Sequence, residues 1–267
     1  YLCVPLLYFH FIKLEQIFYI WLVFSAISVA VGVIYIVKFE SISISDFKLD
    51  VQWLKRGVKT SFLFFLGTLC LRVINYLDKV IAVHFITSPN LGVYVFFFGV
   101  AAAVQAIIDV LVVTRYYPSL VKAIQANNVI EAKKAFVRFK NKIFLYNFGL
   151  YILSIPACYL MITLTGKVEY ANYFLWYILI VIATSILNVS MPYHYVLYSQ
   201  KKDTSIICIN AIALLLFIII SFSGVIVLPD SGMLAILIAL IGSNLFILII
   251  KYILFVKEFN GEGRHLN

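Results

Sequence analysis

Residues 61–84 read SFLFFLGTLCLRVINYLDKVIAVH. As a helix rising 1.5 Å per residue, this run reaches about 36 Å, enough to cross the ~30 Å hydrocarbon core of a bilayer. Yet it carries Arg72, Asp78 and Lys79 inside it. Successive residues of a helix turn by about 100°, so Ser61, Thr68, Arg72, Asn75 and Lys79 share one narrow stripe, with Asp78 at its flank. An Arg near mid-bilayer costs about 2.5–3.5 kcal/mol on insertion scales. The stripe is therefore expected to face water, a partner carboxylate or the protein interior rather than lipid.

Six further stretches have the same length and apolar character, at 17–37, 93–114, 143–165, 173–197, 205–228 and 233–256. Across the 267 residues, 64% are hydrophobic, 12% are charged, and mean hydropathy is +1.03. A soluble domain is about 45–50% apolar and about 25% charged, so the chain is read as an all-α polytopic membrane protein. The stretches lack the alternation of β-barrel strands, and a helix satisfies its own backbone in lipid.

The net charge of +9 is not a nucleic-acid signal, because the basic residues occupy connections between spans. Lys38, Lys48, Lys55, Arg56 and Lys59 lie in one connection, and Arg115, Lys122, Lys133, Lys134, Arg138, Lys140 and Lys142 in another. Lys201 and Lys202 follow, then Lys251, Lys257 and Arg264, all on one side, against Lys13 and Lys167 on the other. The positive-inside rule places the heavily basic side, with the C-terminus, in the cytoplasm. The opposite connections, about 11–16, 85–92, 166–172 and 229–232, are too short for a folded catalytic domain, and Asp230, Ser231 and Gly232 read as a tight turn. Residues 117–141 read as a helical hairpin at the cytoplasmic surface: Pro118 ends one helix, and Asn128 with Glu131 resembles the capping box of the next.

Residues 1–12, YLCVPLLYFHFI, are too short to span and read as the cut end of a transmembrane helix, so the chain is expected to be the C-terminal part of a longer protein. The organisation expected is an end of a first lobe at 1–37, a linker at 38–60 containing ESISISDFKLD, a six-helix second lobe at 61–256 and a tail at 257–267. Cys3, Cys70, Cys158 and Cys208 lie in apolar stretches without metal-ligand spacing and read as small buried hydrophobes. Tyr19, Trp21, Tyr170, Tyr173 and Trp176, with Phe9, read as interface belts.

Functional candidates are few. Lys79 either pairs with Asp78 and snorkels outward or lines a cavity. Arg72 has no acid three or four residues away, so with Lys79 it points to an aqueous cavity for an anionic substrate. Gln105 and Asp109 are one helical turn apart, where Asp109 is either a solvated carboxylate or a site for a coupling ion or proton. Asn188, His194, Asn210 and Asn244 read as interhelical hydrogen-bonding groups. No Ser/His/Asp grouping, phosphate-binding loop or paired acidic metal site is present in the sequence, so neither an enzyme, a metal site nor a cofactor is expected.

The run NYLDKVIAVHF at 75–85, then LGVYVFFFGVAAAVQAI at 91–107, then YYPSL at 116–120 resembles the Wzx-type polysaccharide-lipid flippases. These belong to the multidrug/oligosaccharidyl-lipid/polysaccharide exporter superfamily. Asp78, the Leu91–Gly92–Tyr94 pattern and Pro118 occupy places that recur in that family. The resemblance implies a second six-helix lobe of a twelve-helix transporter, plus the end of the first lobe, in the bacterial inner membrane. It implies flipping of undecaprenyl-diphosphate-linked oligosaccharide repeat units by alternating access, for O-antigen or capsule assembly. Arg72 and Lys79 would then offset the diphosphate charge, Asn75 and Gln105 would hydrogen-bond sugars, and Asp78 and Asp109 would serve ion coupling. The partners implied are the lipid-linked oligosaccharide, membrane lipids, a coupling ion (H+ or Na+) and the polysaccharide polymerase machinery. A drug/cation antiporter of the same superfamily and an O-antigen polymerase or ligase are the alternative readings.

Overall fold

A computed structural model describes residues 14–39, 51–227 and 232–261, and every element among them is helical. Contacts divide the chain into two units, 1–58 and 59–267. The first contains α1 (Leu14–Phe39), whose apolar sequence closes with Lys38 in the last turn, where a cation complements the exposed carbonyls. It also contains the opening turns of α2 (Val51–Phe85). Residues 1–12 and 40–50, on which the helix stump and most of the linker were placed, lie outside the described residues, as do 228–231 and the tail beyond Gly261.

Within the stretch 38–60 read as a linker, α2 is already helical from Val51 onward. The stretch VQWLKRGVKT has basic side chains but no proline, and a single glycine does not stop a helix that continues into an apolar run.

The second unit continues α2 and adds α3 (Ser88–Ile108), a π-helical turn (Asp109–Val113), α4 (Thr114–Gln125), α5 (Val129–Leu164), a 3₁₀ turn (Val168–Tyr173), α6 (Phe174–Ser199), α7 (Asp203–Val227) and α8 (Gly232–Gly261). Among the described residues, six helices are long and apolar enough to cross a membrane: α1, α3 with its continuation, α5, α6, α7 and α8. The charged α2 is a further long helix. The chain is thus a multi-pass, all-helical membrane protein.

Helix α6 is the hub, touching α3, α4, α5, α7 and α8. Around it Phe97, Phe139, Tyr177 and Phe217 are completely buried, and the Phe97 ring packs 5.6 Å from that of Tyr177. The long helices are apolar on both sides, so burial is decided by shape and polarity. On α7, Ile209, Asn210, Ala213, Phe217 and Ser221 face inward, whereas Ile212, Leu215, Ile219 and Ile226 face outward. Polar groups inside and large aliphatics outside suit a helix whose outer solvent is lipid. Three of the four expected interhelical groups form their bonds: Asn188 donates to Asn147 Oδ1 at 3.0 Å, Asn210 to the Gly67 carbonyl at 3.0 Å and Asn244 to the Ala183 carbonyl at 2.9 Å, whereas His194 Nδ1 is buried without a partner among the described residues.

The α7–α8 hairpin needs a small residue at its crossing: a Cβ on Gly224 would come within 2.9 Å of Ala235 Cβ. Gly224→Leu is expected to cost about 1–3 kcal/mol by overpacking, visible as a lower thermal midpoint in detergent.

Helix ends are closed by αL residues. After α4, α5 and α6 stand Asn127 (φ 52), Gly166 (φ 70) and Lys201 (φ 59). In each case the αL residue's own amide and the next one turn back on the last-turn carbonyls, as where Lys201 N–H donates to Tyr198 O at 2.9 Å and Lys202 N–H to Leu197 O at 3.0 Å. Lysine has a Cβ penalty in αL that glycine lacks. Lys201→Gly is therefore expected to stabilise the protein by about 0.5–1 kcal/mol, read as a higher Tm.

Asn128 accepts from the Glu131 amide at 3.1 Å, the expected cap of α5, and α4 packs back on α5 as a hairpin. Pro118, expected to end a helix, lies inside α4 instead. The preceding backbone has widened: the Thr114 amide reaches back five residues to the Asp109 carbonyl, which also accepts from Thr114 Oγ1 at 2.9 Å. This widening accommodates a proline that would otherwise crowd the carbonyl one turn before it. Of the cysteines expected to be buried, Cys158 is buried, Cys70 is partly so and Cys208 is exposed; Cys3 lies outside the described residues. The belt aromatics Tyr19 and Trp21 are exposed, and the Tyr173 and Trp176 rings pack at 4.6 Å.

Candidate functional site

Gly67, Ile74, Asp78 and Ile81 form the buried face of α2. The stripe runs beside that face: Ser61, Thr68 and Arg72 are exposed, and Asn75 and Lys79 are half-buried. The flank is opposed by α3, which presents Tyr94, Phe98, Ala101, Gln105 and Asp109 at helical spacing.

At one end of this seam Asp78 is fully buried and Lys79 is 28% exposed along its side chain. Lys79 Nζ stands 3.1 Å from Asp78 Oδ1 and donates to the Asn75 carbonyl at 2.7 Å. The Tyr94 hydroxyl donates to Asp78 Oδ2. The Lys79 ammonium sits 3.8 Å from the centre of the Phe98 ring, where the ring face attracts it. Of the two sequence readings of Lys79, the ion pair with Asp78 is therefore the contact made, and the pair has no net charge.

Toward the other end of α3, Gln105 Nε2 donates to Asp109 Oδ1 at 3.0 Å, and the Tyr151 hydroxyl of α5 approaches Gln105 Oε1 at 3.4 Å. Arg72 lies within electrostatic range of Asp109. It makes no hydrogen bond or close ion pair with any described residue. Comparison of the chain with protein-family models, with curated proteins and with solved structures finds no match. What the seam can do thus rests on its own chemistry.

The structure brings all six sequence candidates, Arg72, Asn75, Asp78, Lys79, Gln105 and Asp109, to the α2–α3 flank, but with unequal freedom. Asp78 and Lys79 neutralise each other, and Gln105 is committed to Asp109 and Tyr151. Arg72 keeps a planar fork of donors, suited to two oxygens of a phosphate or carboxylate. Among the described residues no cluster of three or more His, Cys, Asp or Glu side chains could hold a metal ion.

Sequence reading missed two side chains of this seam and misplaced a lysine elsewhere. Tyr94 and Phe98 were legible as members of the helical stripe that continues to Gln105 and Asp109, but Tyr94 entered only as part of the Leu91–Gly92–Tyr94 pattern and Phe98 was not singled out. Lys251, counted with the cytoplasmic loops, is 2% exposed inside α8. It lies several residues short of the expected span end at 256, which was the available signal.

Proposed function

We propose that this chain is the second lobe, with the end of the first, of a Wzx-type polysaccharide-lipid flippase. In this reading it moves undecaprenyl-diphosphate-linked oligosaccharide repeat units from the cytoplasmic to the outer leaflet of a bacterial inner membrane by alternating access. The observation that carries the reading is Arg72, an exposed guanidinium in the middle of a long helix without a hydrogen-bond partner among the described residues. A bare cation there is sustainable where an aqueous cavity and an anionic ligand meet it. The diphosphate supplies that anion. Asn75 and the outer edge of Lys79 lie along the same flank to meet sugar hydroxyls and acidic sugars, and the polyprenyl tail stays in lipid. Asp109, held by Gln105 and within range of Arg72, is the carboxylate through which an H+ or Na+ gradient would act on the same seam.

Complementation tests this. The full gene encoding the chain should restore surface polysaccharide to a flippase-deficient strain, and its Arg72→Ala variant should not. Restored drug efflux without surface polysaccharide would assign the chain to the antiporter branch instead.

A further inference from the structure

The outward face of α5 changes its chemistry along its length. Lys133, Val137, Lys140 and Phe144 recur at helical spacing on one stripe, and Lys134, Arg138, Asn141 and Leu145 on the next. All of them are exposed. Cations dominate as far as Asn141, and from Phe144 onward the exposed side chains are apolar or aromatic. The change falls where the span expected from residue 143 begins, the level at which a helix passes from headgroups into hydrocarbon.

At this level an open groove of about 490 Å³ runs between α5 and α6. Lys140, Asn141 and Tyr193 stand at its mouth, and Phe144, Leu145 and Val189 line it one helical turn, about 5 Å, deeper. The Tyr193 ring is fixed in place: it packs 5.8 Å from Phe136 and 5.3 Å from Phe255, and edge-on to Tyr252 at 5.4 Å. Its hydroxyl, the Lys140 ammonium and the Asn141 amide make no hydrogen bond or ion pair with any described residue. Three uncommitted donors therefore stand above an apolar floor that opens to the lipid side.

We infer that this groove holds an anionic phospholipid from the leaflet at the basic end of the bundle. The phosphate sits among Lys140, Asn141 and the Tyr193 hydroxyl, and an acyl chain lies along Phe144 and Leu145. Charge selects an anionic lipid over a zwitterionic one. No carboxylate lines the groove, and Lys133, Lys134 and Arg138 continue the same face within about 10 Å of it along the helix. Glu131 caps the start of α5 and lines neither that cluster nor the groove. A headgroup ammonium would meet only cations there, whereas a phosphate with a neutral hydroxylated headgroup meets donors on every side. The groove shares no residue with the α2–α3 candidates, so the inference does not rest on the substrate reading.

Thermal unfolding of the full-length protein in a neutral detergent, titrated with phosphatidylglycerol or with phosphatidylcholine of the same chains, tests this. A saturable rise in midpoint is expected with phosphatidylglycerol and none with phosphatidylcholine. Lys140→Glu should raise the half-saturating concentration about tenfold or more, and Lys140→Arg should stay near wild type. Tyr193→Phe, which keeps the packed ring, should raise it about three- to tenfold. Lys122→Glu makes the same change in net charge at an exposed position of α4 outside the groove, and should leave it unchanged. Equal responses to the two lipids, or equal losses in Lys122→Glu and Lys140→Glu, would overturn the site in favour of diffuse surface charge. Displacement of phosphatidylglycerol by equimolar undecaprenyl diphosphate would overturn it too, by giving the groove to that ligand. Arg72→Ala should keep the full response to phosphatidylglycerol, so this result and the complementation result succeed or fail separately.

Discussion

Arg72→Ala is expected to weaken binding of a polyprenyl-diphosphate ligand by roughly a hundredfold, while the protein folds and inserts as well as the wild type. Hydrogen bonds to charged groups are worth about 1.5–3 kcal/mol each, and losing a bidentate pair removes enough to account for about two decades in affinity. Stability should be spared because Arg72 makes no hydrogen bond with any described residue and is exposed on its helix. Arg72→Lys should fall between, about tenfold weaker, since an ammonium keeps the charge but not the planar fork. Titration of the full-length protein in nanodiscs with undecaprenyl diphosphate, followed by fluorescence or thermal shift, reads these differences. Equal affinity in all three proteins would detach the guanidinium from the ligand.

Asp78→Ala should have the largest effect on stability, about 3 kcal/mol or more, and for a different reason. The carboxylate is fully buried, and its removal leaves the Lys79 ammonium and the Tyr94 hydroxyl without their partner. Breaking a buried pair from one side typically costs about 3–5 kcal/mol; the partial exposure of Lys79 places this case at the lower end. Tyr94→Phe removes one hydrogen bond to the same carboxylate and should cost about 1–2 kcal/mol. The double replacement Asp78→Leu with Lys79→Leu should recover most of the loss, because replacing both members by apolar groups leaves no orphaned charge. Unfolding in a graded detergent series measures all three, and a double variant as unstable as Asp78→Ala would contradict the paired account.

Span positions were legible because lipid imposes length. The stretches 17–37, 173–197, 205–228 and 233–256 fall within a few residues of α1, α6, α7 and α8. Where helices continue into water, hydropathy goes silent. The first turns of α2 and the last turns of α8 are helical through basic sequence that reads as connection, whereas the start of α5 was legible from its cap at Asn128 and Glu131. Pro118 was legible as a breaker but not as a residue inside a helix, since the widened turn before it depends on backbone hydrogen bonding that residue type does not encode. Lys201 in αL was equally hidden, because no propensity favours lysine there.

At the candidate seam, the α2 stripe was readable from 100° spacing alone, and the structure sets all its members beside the buried face. Which cation is paired was not readable. Asp78 is adjacent in sequence to Lys79 but six residues from Arg72, and only the approach of α3, with Tyr94 and Phe98, settles Lys79 on Asp78. Single asparagines were read as interhelical bonds, and Asn188, Asn210 and Asn244 make them.

The most direct measurement is leaflet translocation by the purified full-length protein in proteoliposomes, with a lipid-linked oligosaccharide loaded on one face and its sugar detected on the other by an impermeant glycosidase. Time-dependent exposure of the sugar above protein-free vesicles, lost in Arg72→Ala while the variant reconstitutes equally, is the predicted result. No translocation above protein-free vesicles, or translocation indifferent to Arg72, would contradict it.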